Sequence, residues 1–135
     1  MSTQITVIGN LTREIELRYA ASGTAIASFG LASNRRKKNG DQWEDETSYI
    51  KCVAFQTLAE NIAQSADKGT RLIVSGYLKQ NDWTDKDSNE RRELELVVND
   101  AGLELRFDPA AHQRAERTTH RDRAADAAAA AEEPF

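Results

Sequence analysis

The stretch SYIKCVAF holds the residues best suited to chemistry. Tyr49 and Phe55 are separated from Lys51 by even numbers of positions, with Ile50, Cys52 and Ala54 falling between. In an extended strand, alternate side chains leave opposite faces. Two aromatic rings and an ammonium therefore share one side, and small apolar groups share the other. Flat rings with a cation between them suit stacked bases and their phosphates. Trp43 and Trp83 each sit alone among charges, in NRRKKNGDQWEDE (Asn34 to Glu46) and QNDWTDKDSNERR (Gln80 to Arg92). The run Arg35, Arg36, Lys37 and Lys38 adds local positive charge, and Lys79, Arg91 and Arg92 flank the second stretch. The residues alone leave a second reading open: Tyr49 and Phe55 at a subunit interface, with the basic run a solvated loop.

Other chemistries find less support. His112 and His120 lie near the C-terminus without cysteine partners at zinc-like spacing, so no metal site is expected. Cys52 alternates with Ile50 and Ala54, as a buried structural thiol would. No phosphate-cradling loop, nucleophile elbow or zinc helix motif is present. The run DKDSNE has Glu90 where a calcium loop needs its glycine and Leu96 where it needs a glutamate. A nuclease using Asp82, Asp85 and Asp87 would rest on three carboxylates in a hairpin, a poor cradle for magnesium. The expectation is a non-enzyme without cofactors.

The elements that must position these residues fit one domain of the chain's 135 residues. The formal charge, 18 − 22 = −4, supplies no global basic field, which counts against a polyanion partner. A lone cysteine fits a reducing cytoplasm. The opening MSTQITVIGNL lacks a basic segment leading a long apolar stretch, so secretion is not expected, and neither is membrane insertion. Five segments read as strands: ITVIGN, TAIASFGLAS, SYIKCVAF, RLIVSGYLKQ and RRELELVVND. Between the third and fourth, TLAENIAQSADKG carries helical spacing at Leu58, Ala59, Ile62 and Ala66, with Gly69 as its stop. That order predicts an all-β, five-stranded OB barrel with one helix between strands three and four. The two long polar stretches read as loops. Composition shifts at Phe107–Pro109 to Ala, Arg, Thr, Asp and Glu, so a domain over residues 1–107 and a disordered tail over 108–135 are expected.

The stretches VIGNLTREIELRY, SYIKCVAFQTLAENIAQ, KGTRLIVSGYLKQNDWTD and LELVVND resemble the bacterial single-stranded DNA-binding protein family, over roughly residues 3–106. The resemblance implies an OB fold, a homotetramer, and sequence-independent wrapping of single-stranded DNA in the cytoplasm, at the nucleoid. By position it implies base stacking at Tyr49, Phe55 and Trp83; Trp43, placed later in its stretch than the tryptophan of several members, is left with two roles, stacking on a base or packing on its own subunit. It implies phosphate contacts at Arg18 and Lys51, joining Arg35, Arg36, Lys37, Lys38, Lys79, Arg91 and Arg92. The chain departs from the family pattern in having no aromatic in SNRRKK and in having Ile50 where some members have histidine. Family members end in an acidic tip closing on Pro-Phe, which implies that Glu132, Glu133, Pro134 and Phe135 recruit replication, recombination and repair proteins. Here that tip is sparse in acids. The rival reading is an OB-fold primosome or recombination accessory acting mainly by protein contacts.

Overall fold

The computed structural model describes residues 2–110. Seven elements follow in order: β1 (Thr3–Leu11), β2 (Glu16–Tyr19), β3 (Ala25–Asn39), β4 (Gln42–Phe55), α1 (Gln56–Ser65), β5 (Arg71–Thr84) and β6 (Glu90–Leu103). Hydrogen bonding runs β1-β5-β6-β4-β3, and β3 returns to β1 through Asn10↔Ala32 and Leu11↔Leu31. These five strands close a ring, the OB barrel, and α1 sits between the third and fourth of them. β2 is a sixth, four-residue strand paired only with β3, which the sequence reading left out. Its alternation is invisible because all four residues are exposed.

Alternation decides what lies inside. On β3, Ala25, Ala27, Phe29 and Leu31 are buried; on β4, Cys52 and Ala54; on β5, Leu72 and Val74; on β6, Leu96 and Val98. Leu31, Cys52, Val74 and Leu96 are the largest fully buried side chains. Helix α1 adds Ala59 and Ile62 to this core, with Ala66 at its end. The helix stops at Ser65 rather than Gly69. Ala66 is already extended, and Gly69 instead turns the chain toward β5 with φ +90°.

The two polar stretches expected as loops are mostly strand. β3 and β4 stay paired in one register from Ile26↔Phe55 out to Asn39↔Gln42. β5 and β6 continue likewise to Thr84↔Glu90. Both form arms reaching past the barrel, solvated on both sides, so no apolar alternation marks them. The first arm turns on two residues, Gly40 and Asp41, with Gly40 at φ +67°, as a type II′ hairpin requires. The second turns through Asp85 to Asn89. Asp85 Oδ1 accepts the backbone N–H groups of Asp87 and Asn89, each at 2.9 Å.

Ring closure leaves little room at Gly76, beside a bulge where β6 gains one residue. A Cβ there would stand 1.9 Å from the Val97 carbonyl oxygen. Gly76→Ala is expected to cost about 1–3 kcal/mol or more, since backbone must move to admit the methyl. Gly102→Ala, whose Cβ would meet only Ile73 Cγ2 at 3.6 Å, should stay within about 0.5 kcal/mol of the parent. Urea denaturation of both variants checks the contrast.

Candidate nucleic-acid interface

Barrel closure turns the other set of alternate residues outward. On β4 these are Trp43, Tyr49, Lys51 and Phe55, the face opposite Cys52 and Ala54. Register carries the same face onto the neighbours. Across β3 it includes Lys38 and Arg36, opposite Trp43 and Asp45. Across β6 it includes Glu95 and Val97, opposite Lys51 and Val53, and by alternation Glu93 and Arg91. From β6 it passes to β5, where Lys79 faces Glu95 and Trp83 faces Arg91. Arg18 of β2 joins by pairing with Ile26, whose neighbours Ala25 and Ala27 point inward.

All four stacking candidates therefore lie on one outer face, and all are open to solvent: Tyr49 is 76% exposed, Trp43 58%, Trp83 44% and Phe55 43%. They are spread along the face rather than gathered in one pocket. Tyr49, Lys51 and Arg18 line an open groove of about 840 Å³ with Glu93. Trp83, Arg91 and Arg92 line a second, smaller concavity of about 230 Å³ on the β5–β6 arm. Phe55 borders a third of about 450 Å³, shared with Tyr77. Tyr77 was missed by the sequence reading. Its signal was present: GYLK repeats in β5 the tyrosine–lysine spacing of SYIK in β4.

Of the nine basic candidates, Arg18, Arg36, Lys38, Lys51, Lys79 and Arg91 share the aromatic face. Arg35, Lys37 and Arg92 fall at the alternate positions and occupy the reverse. Trp43 is already engaged from its own strand pair. The Arg36 guanidinium lies 5.3 Å from its ring centroid and the Lys38 ammonium 6.0 Å. Those contacts hold the indole in place and present its cations together.

Acids pair with five of the nine cations. Lys51 Nζ stands 3.4 Å from Glu93 and Arg36 Nε 4.0 Å from Asp45. Arg35 reaches Glu46 at 3.3 Å on the reverse face. On the other arm, Arg91 donates to Asp85 at 2.8 Å, and Arg92 lies 3.9 Å from Asp82. The Arg91 bond, with the turn amides, holds the Asp85 carboxyl below its ordinary 3.8. A carboxylate lowered in this way steadies the turn at neutral pH, and that contribution is lost as acid protonates it. Asp82 and Asp85 thus face arginines and amides. Among the described residues no group of His, Cys, Asp and Glu is arranged to hold a metal ion.

Cys52 is fully buried, and its thiol is pushed up to about 12, first by burial and then by the charge of Glu95. It is a packing residue of the barrel seam. Glu132, Glu133, Pro134 and Phe135, expected to form a recruiting tip, and His112 and His120, expected to hold no metal, lie outside the described residues. Among the described residues no helix is long and apolar enough to cross a membrane.

A closed OB barrel with an outer face of exposed aromatics and cations defines an oligomer-binding module of the nucleic-acid type. The profile of the single-strand binding protein family matches residues 2–104. A single-stranded DNA-binding protein of Paenarthrobacter aurescens is 41% identical over 121 residues, covering 87% of this chain and 71% of the relative. One from Mycobacterium tuberculosis is 38% identical over 119 residues, covering 86% and 73%. The crystal structure of a small single-stranded DNA-binding protein from Streptomyces coelicolor superposes with a TM-score of 0.66 at 25% identity, covering 77% of this chain and 95% of that one. The chain belongs to the single-strand binding protein family.

The buried thiol gives a direct check on the seam. In native protein at mildly alkaline pH, Cys52 is expected to resist an aromatic disulfide reagent. It should react fully once guanidinium opens the barrel, and absorbance of the released thiolate reads both states.

Proposed function

We propose that this protein binds single-stranded DNA without sequence preference and does no catalysis. The observation that carries the reading is the outer face itself, on which Trp43, Tyr49, Phe55 and Trp83 alternate with Arg36, Lys38, Lys51, Lys79 and Arg91. Rings accept any base because every base has a π-face, and cations spaced along strands track a phosphate backbone. Arg18 brings a further cation to the Tyr49 groove. Arg35, Lys37 and Arg92 serve a strand that crosses the arms on their reverse side. Family membership and the names of the relatives support the same ligand.

The rest of the reading concerns assembly and partners. Residues 1–107 form the binding domain, and 108–135 form a linker that ends in the recruiting tip Glu132, Glu133, Pro134 and Phe135. The working unit is a homotetramer at the nucleoid in the cytoplasm. The tip's phenylalanine offers an apolar anchor and its carboxylates offer charge, which suits pockets rimmed by Arg or Lys on replication, recombination and repair proteins.

Titration with oligo(dT) while following tryptophan fluorescence tests the ligand. Strong quenching at a fixed nucleotide-to-protein ratio is expected. Tyr49→Ala with Trp83→Ala should weaken binding at least about thirtyfold, because each stacked base is worth about 1–3 kcal/mol. Undiminished affinity in the double variant would sink the stacking assignment. Absent quenching and absent binding would instead give the face to a protein partner. Removing residues 132–135 should leave oligo(dT) affinity within about twofold while abolishing retention of repair proteins, and light scattering should return a tetramer's mass for both forms.

A further inference from the structure

Four of the six cations on the aromatic face, Arg36, Lys51, Lys79 and Arg91, have an acid beside them or directly across from them. Glu93 lies 3.4 Å from Lys51 and Asp45 lies 4.0 Å from Arg36. Asp85 holds Arg91, and Glu95 stands directly across from Lys79. Asp45, Glu93 and Glu95 are placed by the strand registers that place the cations, and Asp85 by the turn at the end of its arm, so the pairing is built into the fold. Lys51, Glu93, Arg36 and Asp45 are all more than one-third exposed. Exposed pairs of this kind add little to stability. Each carboxylate instead occupies the place that a phosphate oxygen would take.

Resting on the proposed function, we infer that Glu93 and Asp45 are resident counter-ions of the binding face, exchanged for phosphates when a strand binds, and that they bias the face against double-stranded DNA. The physical argument has two parts. Polyanion binding gains affinity from counter-ions released by the nucleic acid. A cation that must first surrender its own carboxylate keeps less of that gain, so phosphate attraction is muted. Stacking on Tyr49, Phe55 and Trp83 is untouched, and only unpaired bases can supply it. A duplex offers phosphates without accessible base faces. A charge-compensated face therefore discards what a duplex offers and retains what a single strand offers. The same pairing is consistent with a net charge of −4 on a chain that binds a polyanion.

The test compares Glu93→Gln, Asp45→Asn and, as a charge-matched control, Glu60→Gln on the exposed side of α1. Labelled oligo(dT) and a labelled duplex of equal length are titrated by anisotropy from low to moderate salt. Each of the two face variants is expected to steepen the oligo(dT) salt slope by about 0.7, one phosphate contact's worth. At low salt each should tighten oligo(dT) binding by about two- to fivefold, and duplex binding by more. Glu60→Gln should alter neither slope. Unchanged slopes in the face variants, an equal shift in the control, or a duplex gain no larger than the oligo(dT) gain would each overturn the inference while leaving the ligand intact. Wild-type protein that binds no oligo(dT) would overturn the proposed function itself, a result distinct from all of these.

Discussion

The fold depends on closing a ring through two very short seams. β1 meets β3 at two residue pairs, and β4 meets β6 in parallel at three, Lys51↔Glu95, Cys52↔Leu96 and Val53↔Val97. Seams this short hold only if the strands approach closely and pack tightly behind the junction. That explains the small residues lining the inside, Ala27, Cys52 and Ala54, with no exposed surface at all. It explains Gly9 as well, where a Cβ would meet the Ala32 carbonyl oxygen at 2.8 Å. Close packing of this kind makes the interior intolerant of added volume.

Closure also separates inside from outside, and the binding face follows from that separation. Once Cys52 and Ala54 point inward, Tyr49, Lys51 and Phe55 have no choice but to point outward. The arms inherit the same parity. Trp43 stands six residues before Tyr49, an even count, and Trp83 six after Tyr77, also even. Rings that are distant in sequence become co-facial because the hydrogen-bond ladders run unbroken from barrel to arm.

The barrel and its helix were legible in the sequence because burial writes a period into it. SYIKCVAF alternates at two, and TLAENIAQ recurs near 3.6, each because one side meets a core. The arms were not legible as strands, since neither side of them is buried and apolar alternation has no cause there. Their signal was of another kind. Arg35, Arg36 and Lys37 stand opposite Glu46, Asp45 and Glu44, so the run RRK reads back against EDE across the Gly40–Asp41 turn. Charge complementarity about a turn marks a solvated hairpin where hydrophobic periodicity cannot. The face shared by Trp43 and Trp83 with Tyr49 was hidden for the same reason: it requires the register of the arms.

The unbroken register has a further consequence for how this chain can vary in length. A single-residue insertion or deletion between Trp43 and Tyr49 would reverse every side chain beyond it, sending the indole to the back of the arm and Glu44 to the front. The two turns carry no such constraint, because Gly40–Asp41 and Asp85–Asn89 lie past the last paired residues. Arms of this design can lengthen or shorten at their tips and in steps of two along their shafts. Their reach is thus adjustable over descent while the orientation of their aromatic side chains is kept.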